Sequence, residues 1–235
     1  GEIRSCFSMT EPGAGADPTL LTTRAERDGD ELVINGHKWF SSNASVADFL
    51  IVMCKTNLDP DANPYRSYSM ILVPTNTPGV NILRDVPTMG EPDHKTGEPG
   101  GHAEILYEDA RVPQENIIGQ EGQGWELAQT TLGFERGGSL LARVTRHQAN
   151  MRRLFEVTQE LSRDSVPVLD DPVARQKMGR MVVEVEVLRY AGFRILSKLE
   201  QGKRPGSESS IDKLYYSEMD KRHQELMQDL LGPYG

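Results

Sequence analysis

The chain is short of several features that mark whole classes of protein. No run of about 20 apolar residues occurs, so no segment reads as a membrane-spanning helix. The longest apolar stretch, Phe49-Leu50-Ile51-Val52-Met53-Cys54, is the size of a strand. There are 2 cysteines, Cys6 and Cys54, with neither metal-site spacing nor the density of a disulfide framework. A reducing, intracellular setting follows as the expectation. Basic residues are also scarce. Residues 1–120 hold 9 bases against 18 acids, residues 121–235 hold 17 of each, and the formal net charge is −9. Neither part offers the basic surface that nucleic acid requires. The 5 histidines lack ligand spacing, so no resident metal is expected, and no His-Glu-x-x-His, Gly-x-Ser-x-Gly or Walker motif is present. Repeats, low-complexity tracts and a secretory signal are likewise missing. The sequon Asn43-Ala44-Ser45 would matter only in a secreted protein. The chain opens Gly1-Glu2-Ile3-Arg4 without a methionine, as a piece of a longer protein would.

What remains is an ordinary globular composition. Hydrophobic residues make up 37%, and with the glycines the apolar share is that of a packed domain rather than a disordered chain. Up to about residue 118 the pattern is β. Strand candidates are Ser5–Met9, Thr22–Arg27, Glu31–Ser41, Phe49–Thr56, Tyr68–Pro74, Val80–Arg84 and Ala103–Val112, separated by turn signals. Asp28-Gly29-Asp30 reads as a hairpin turn. This spacing predicts an antiparallel barrel or sandwich.

After Gly119 the period changes to helical. Trp125, Ala128, Leu132, Leu140, Val144, His147, Met151, Leu154, Phe155 and Leu161 form a first stripe. Met178, Met181, Val182, Val185, Leu188, Gly192, Ile195, Leu196 and Leu199 form a second, and a third helix runs over about 209–231 before Gly232-Pro233. The fold class expected is therefore α+β multidomain, with a β-domain over 1–118 and an up-and-down helical bundle over 119–235. Three helices are few for a closed bundle. A further helix or a partner subunit is expected to complete it.

Three segments could carry chemistry. In Met9-Thr10-Glu11-Pro12-Gly13-Ala14-Gly15-Ala16-Asp17 the glycines would let backbone amides approach an anion; the alternative is a plain Gly/Pro turn. In Gly36-His37-Lys38-Trp39-Phe40-Ser41-Ser42-Asn43 two adjacent aromatics should point to opposite strand faces, one to the core and one to solvent or a flat ligand. The alternative is ordinary core and edge packing. In Gly133-Phe134-Glu135-Arg136-Gly137-Gly138 a charged pair falls on or beside the buried stripe, aimed either into a pocket or at a neighbouring helix. Lone His147 reads as a satisfied core histidine.

Taken in order, these segments resemble the acyl-CoA dehydrogenase family. Met9–Asp17 is similar to its Thr-Glu-Pro loop. Asn35-Gly36-His37-Lys38-Trp39-Phe40-Ser41-Ser42-Asn43 is similar to its Asn-Gly-x-Lys strand. Val112-Pro113, the segment Gly119–Gly124, Ser209–Leu214 and Leu231–Gly235 resemble the approach to, and the later part of, its helical domain. The resemblance implies a middle β-domain followed by most of a C-terminal helical domain, without the N-terminal domain and the last helix.

It also implies roles. Phe7, Met9, Thr10, Gly15, Ala16, Trp39, Phe40, Ser41 and Ser42 would contact FAD, with Ser42 near flavin N5. Ala16 and Arg136 would lie near the substrate. Glu135, directly before Arg136, would be the catalytic base, as in the branches of the family that carry the base on this helix; the alternative is a base on the loop before the last helix, as in many other members, which this sequence lacks. Ala16 stands where the family has Ser, and Phe40 where it has Trp. Arg163-Asp164-Ser165-Val166 lacks the Phe-Gly of the family's contact to a neighbouring flavin. The implied activity is α,β-desaturation of an acyl-CoA thioester. An electron-transfer flavoprotein would be the acceptor, the chain would form a homo-oligomer (dimer or tetramer), and the compartment would be bacterial cytoplasm or the mitochondrial matrix. A flavin oxidase or monooxygenase of the same fold, and an interaction module that has lost the site, are the alternative readings.

Overall fold

A computed structural model of the chain describes residues 2–89, 94–138, 140–163, 165–203 and 206–232. The chain divides into two compact units, Gly1–Gln129 and Thr130–Gly235, each treated by itself.

The first unit is built on one 8-stranded sheet. Its strands are β1 (Ser5–Ser8), β2 (Arg24–Asp28), β3 (Glu31–Ser42), β4 (Phe49–Lys55), β5 (Tyr68–Pro74), β6 (Val80–Asp85), β7 (His102–Pro113) and β8 (Ile117–Ile118). They follow the order β6-β7-β3-β2-β4-β5-β8, with β1 added on β4. Most pairings are antiparallel, as expected, and Gly29 turns β2 into β3 with φ +63°. Two are not. β1 lies parallel to β4, Ser5 opposite Phe49 through Ser8 opposite Val52, and β2 meets the end of β4 in parallel at Arg24–Lys55. The wholly antiparallel expectation is corrected here. The chain leaves β1 through a long loop instead of a hairpin, and only such a crossover lets a strand return in parallel.

Alternation decides what this sheet buries. Leu32, Ile34, Leu50, Val52, Cys54, Ile71, Val73, Ile105, Tyr107 and Val112 share one core with Cys6 and Ala25. On the other face Met53, Tyr68, Met70, Leu21 and Ala128 form a second cluster, with Phe7 and Met9 packed against it. Cys6 and Cys54 are free and buried. Burial pushes both thiols up to about 12, so neither behaves as a nucleophile.

The helices are α1 (Gly124–Gly138), α2 (Leu140–Glu160), α3 (Pro172–Glu200) and α4 (Glu208–Leu231), with a small hairpin of β9 (Ser162–Arg163) and β10 (Val166–Pro167) after α2. Asp171 caps α3, its side chain accepting from the Val173 amide ahead of Pro172 at the first turn. In the second unit Leu154, Met178, Met181, Leu226 and Leu230 form one cluster, and Val144, Val185, Leu188, Ile195 and Met219 another. The predicted stripes supply most of these positions, but Leu196 and Leu199 are exposed. No helix among the described residues is long and apolar enough to cross a membrane.

Candidate functional site

The candidate site lies where β1 ends and β3 bends. β1 stops pairing with β4 at Ser8, which leaves the carbonyls of Met9 and Thr10 in need of donors. Both come from β3. Lys38 Nζ donates to Met9 O at 2.7 Å, and Trp39 N donates to Thr10 O at 3.0 Å. A third link joins Ser8 Oγ and Ser41 Oγ at 2.8 Å. β1 and β3 are thus fastened side by side without sharing a ladder.

Lys38 is the residue that sequence reading passed over. Leu32, Ile34 and Lys38 fall on one face of β3, and the lysine side chain is fully buried, at 0% exposure. Its Nζ also donates to Glu11 Oε1 at 2.9 Å. Glu11 in turn accepts from Thr22 N at 2.7 Å, Thr22 Oγ1 at 2.8 Å and Thr23 N at 2.9 Å. Burial alone would raise the Glu11 carboxyl, but the Lys38 charge and these hydrogen bonds outweigh it and hold the acid down to about 2. The signal was in the sequence: a lysine at even spacing from Leu32 and Ile34 has to find an inward-facing acid.

The strand bends immediately after Lys38. The pairing of β3 with β7 slips between Lys38 and Ser41, and Phe40 takes the left-handed conformation at φ +51°, which is rare for a bulky residue. The extra residue corrects the expectation for the two aromatics. Lys38 and Ser41 both face inward, while Trp39 is half-buried and Phe40 is 42% exposed. The two rings pack on each other with centroids 4.9 Å apart. A bulge places an extra residue on one strand and so breaks strict alternation.

The structure brings Thr10 beside Trp39, whose ring packs on Phe40, while Phe7 and Met9, each half-buried, pack against the cluster of Met53, Tyr68 and Met70. Ser42, which is exposed, shares a hydrogen bond of 2.9 Å with His102 Nδ1, a partner that sequence reading did not find. Ser41 is placed otherwise: its hydroxyl is buried against Ser8. Gly13, Gly15 and Ala16 sit on an exposed turn, closed by reciprocal backbone bonds between Glu11 and Ala14. A Cβ at Gly13 or Gly15 would meet nothing within 4 Å, so packing within the chain does not require glycine at either place.

Glu135 and Arg136 lie on α1 beyond Gln129, in the second unit. Glu135, expected beside the buried stripe, is exposed there, as is Phe134. The side chains of Arg136, Gly137 and Gly138 are outside the described residues. Among the described residues no group of three or more His, Cys, Asp or Glu could hold a metal.

The helical unit holds a polar cluster of its own. His147 on α2 and His223 on α4 are buried, with ring centroids 5.5 Å apart. His223 Nε2 lies 3.2 Å from Glu184 Oε2, while Arg180 and Arg222 donate to Glu184 Oε1 at 3.0 and 3.1 Å. His147 is a core histidine, as expected, but not a satisfied one: neither ring nitrogen has a hydrogen-bond partner among the described residues.

Comparison with known proteins gives these features a context. Residues 6–100 match the family described as "Acyl-CoA dehydrogenase, middle domain", and residues 122–235 match "Acyl-CoA dehydrogenase, C-terminal domain". "Probable acyl-CoA dehydrogenase FadE2" of Mycobacterium tuberculosis is 47% identical over 136 residues, 57% of this chain and 32% of that protein. "Acyl-CoA dehydrogenase IpdE1" of the same organism is 30% identical over 232 residues, 98% of this chain and 55% of that protein. The crystal structure of an acyl-CoA dehydrogenase from Geobacillus kaustophilus superposes with a TM-score of 0.87 at 29% identity, covering 99% of this chain and 60% of its own. The chain therefore spans between 32% and 60% of the length of these relatives.

Proposed function

This chain belongs to the acyl-CoA dehydrogenase family, and from that premise we propose that it forms the flavin-binding and helical parts of an FAD-dependent enzyme that desaturates an acyl-CoA thioester. The observation that carries the reading is the fastened β1–β3 junction, which sets an apolar aromatic surface beside the polar Thr10 and Ser42. Residues 1–118 are read as the flavin-binding middle domain and 119–235 as the C-terminal helical domain.

The residues present suit a flat, polar-edged heteroaromatic group. Trp39 and Phe40 pack together as an aromatic surface, and in this reading Phe7, Met9 and the hydroxyls of Thr10 and Ser42 would add contacts to the bound flavin. Ser41, turned inward, contributes no side-chain contact in this reading. The exposed Gly13–Ala16 turn leaves backbone free beside it for the pyrophosphate or the acyl thioester. When bound, FAD supplies the acceptor for the hydride that leaves the β-carbon.

The chain's own part is to orient both molecules and to move the α-proton. Glu135 is the proposed base, its carboxylate taking the proton from the acyl α-carbon, with Arg136 beside the substrate. Support comes from the position of Glu135 directly before Arg136. A carboxylate acts best as a base where water is excluded and its pKa rises, so substrate has to cover the now exposed Glu135. An electron-transfer flavoprotein would reoxidise the flavin, and the compartment would be the bacterial cytoplasm or the mitochondrial matrix.

The test is anaerobic flavin bleaching by acyl-CoA in the full chain. Glu135→Gln should bind flavin and acyl-CoA as the parent does, yet bleach about 100- to 10,000-fold more slowly, the usual contribution of a general base. Bleaching at the parent rate would remove Glu135 from the reaction.

A further inference from the structure

We infer that Lys38 is a positioning residue for the flavin surface, acting through the Met9 carbonyl and Glu11. The inference rests on the flavin reading above and goes beyond it, because Lys38 faces away from that surface.

A fully buried lysine is an expensive way to fill a strand position, since an apolar side chain of similar length needs no partner. Its Nζ spends its bonds on two points of one loop, Met9 O at 2.7 Å and Glu11 Oε1 at 2.9 Å. Glu11 carries the restraint onward to the amides of Thr22 and Thr23. One ammonium group thereby joins three segments: the end of β1, the bend of β3 and the approach to β2.

Those segments carry the proposed flavin contacts. Thr10 lies between Met9 and Glu11, the lysine's two anchor points, and Trp39 and Phe40 follow Lys38 directly in sequence. Trp39 N closes the same junction on Thr10 O at 3.0 Å. Phe40 holds a positive φ that costs energy unless its surroundings enforce it, and the inward anchor of Lys38 stands just before it. Losing that anchor should free Met9-Thr10 and Trp39-Phe40 to shift against each other, and a ligand that reads both would bind less tightly.

Lys38→Met alone leaves Glu11 buried and charged, which would lower stability for a trivial reason. The informative variant is Glu11→Gln/Lys38→Met, which removes both charges and keeps one amide oxygen to accept from Thr22, while the Thr23 amide loses its acceptor because it bonded the other carboxylate oxygen. Two quantities are measured on the full chain: the thermal midpoint without flavin, and FAD affinity by fluorescence quenching, together with the visible spectrum of the bound flavin. The expectation, read well below the variant's lowered midpoint, is FAD bound about 10- to 100-fold more weakly, the scale of one lost charge-assisted hydrogen bond, with a displaced flavin band. FAD affinity and a flavin band equal to the parent's, at any midpoint, would overturn the inference. Should the double variant fail to fold, Lys38→Arg decides. It keeps a cation for Glu11 but alters the geometry at Met9 O, so weakened FAD binding with an unchanged midpoint supports the inference, and unchanged binding overturns it. A parent chain that takes up no FAD would instead refute the flavin reading itself, and the positioning role with it.

Discussion

At the scale of single residues, the two glycine-bearing motifs do different things. Gly36, in the Asn-Gly-x-Lys strand, sits where β3 crosses the backbone before β2. A Cβ there would stand 2.6 Å from Thr23 Cα, a distance that no side-chain rearrangement relieves. Gly36→Ala should therefore cost about 1–3 kcal/mol, the range for overpacking, read as a fall in the urea midpoint. Gly13 has open space around it and no positive φ, so Gly13→Ala should stay within about 0.5 kcal/mol of the parent. If Gly13→Ala instead weakens FAD binding without touching stability, the loop's glycine serves a ligand and not the fold. A large loss of stability at Gly13, or none at Gly36, would invert this assignment. The same scale shows where sequence reading stopped. The Thr10 and Ser42 hydroxyls were found because motifs name them. Lys38 and Glu11, which hold the backbone beneath, and His102, which bonds the Ser42 hydroxyl, were missed, although Lys38 announced itself as a charge on the inward face of β3. The pairing of Trp39 with Phe40 was misread, because a bulge is a property of two strands in register and one strand alone does not reveal it.

At the scale of elements, the helical unit has a built-in sensitivity to acid. His147 on α2 faces Asp220, Tyr216 and His223 of α4, with Arg143 and Arg146 on its own helix. His223 faces Glu184 of α3 and has Arg222 beside it. Burial holds both imidazoles below the ordinary value; Arg146 adds to this at His147, and the neighbouring His147 adds to it at His223. Asp220 and Glu184 oppose it without reversing it. The unfolded chain takes up protons near pH 6.5, whereas the folded unit does so only at lower pH, so the unfolded state binds more protons in between. Stability is then full above about pH 6.5 and falls as pH drops toward the folded values. Urea unfolding followed by helical circular dichroism should give a lower midpoint at pH 5.5 than at pH 7.5, and His223→Gln should flatten that slope. A midpoint that does not change across this interval would contradict the account. The elements themselves were largely legible. Alternation with turn signals located β2 to β7 closely, and a 3.6-residue stripe located α3, because burial on one face imposes those periods; the end of α4 was read from its Gly232-Pro233 stop. What alternation could not show was strand direction: β1 and β2 lie parallel to β4 through connections that carry no local signature.

At the scale of the whole molecule, the second unit exposes more apolar surface than its own packing uses. Val183, Val187 and Tyr190 repeat at helical spacing on the outward side of α3, with Tyr190 64% exposed, and Ile211 and Leu214 do the same on α4. The inward sides of these helices already bury Met178, Val185 and Leu188 in one place and Met219 and Leu226 in the other. The outward stripes are therefore second faces, and contiguous apolar faces of this kind mark contact surfaces. A second copy of the chain is the occupant we propose, since closed symmetric homo-oligomers are the commonest assemblies. Light scattering of the full chain should then give at least twice the monomer mass. Val187→Lys/Tyr190→Lys should lower that mass toward the monomer while the helical circular dichroism stays unchanged, because both side chains point away from the unit's own core. A parent chain that runs as a monomer at tens of micromolar would rule out self-association through this face. A double variant of undiminished mass would move the contact elsewhere on the surface.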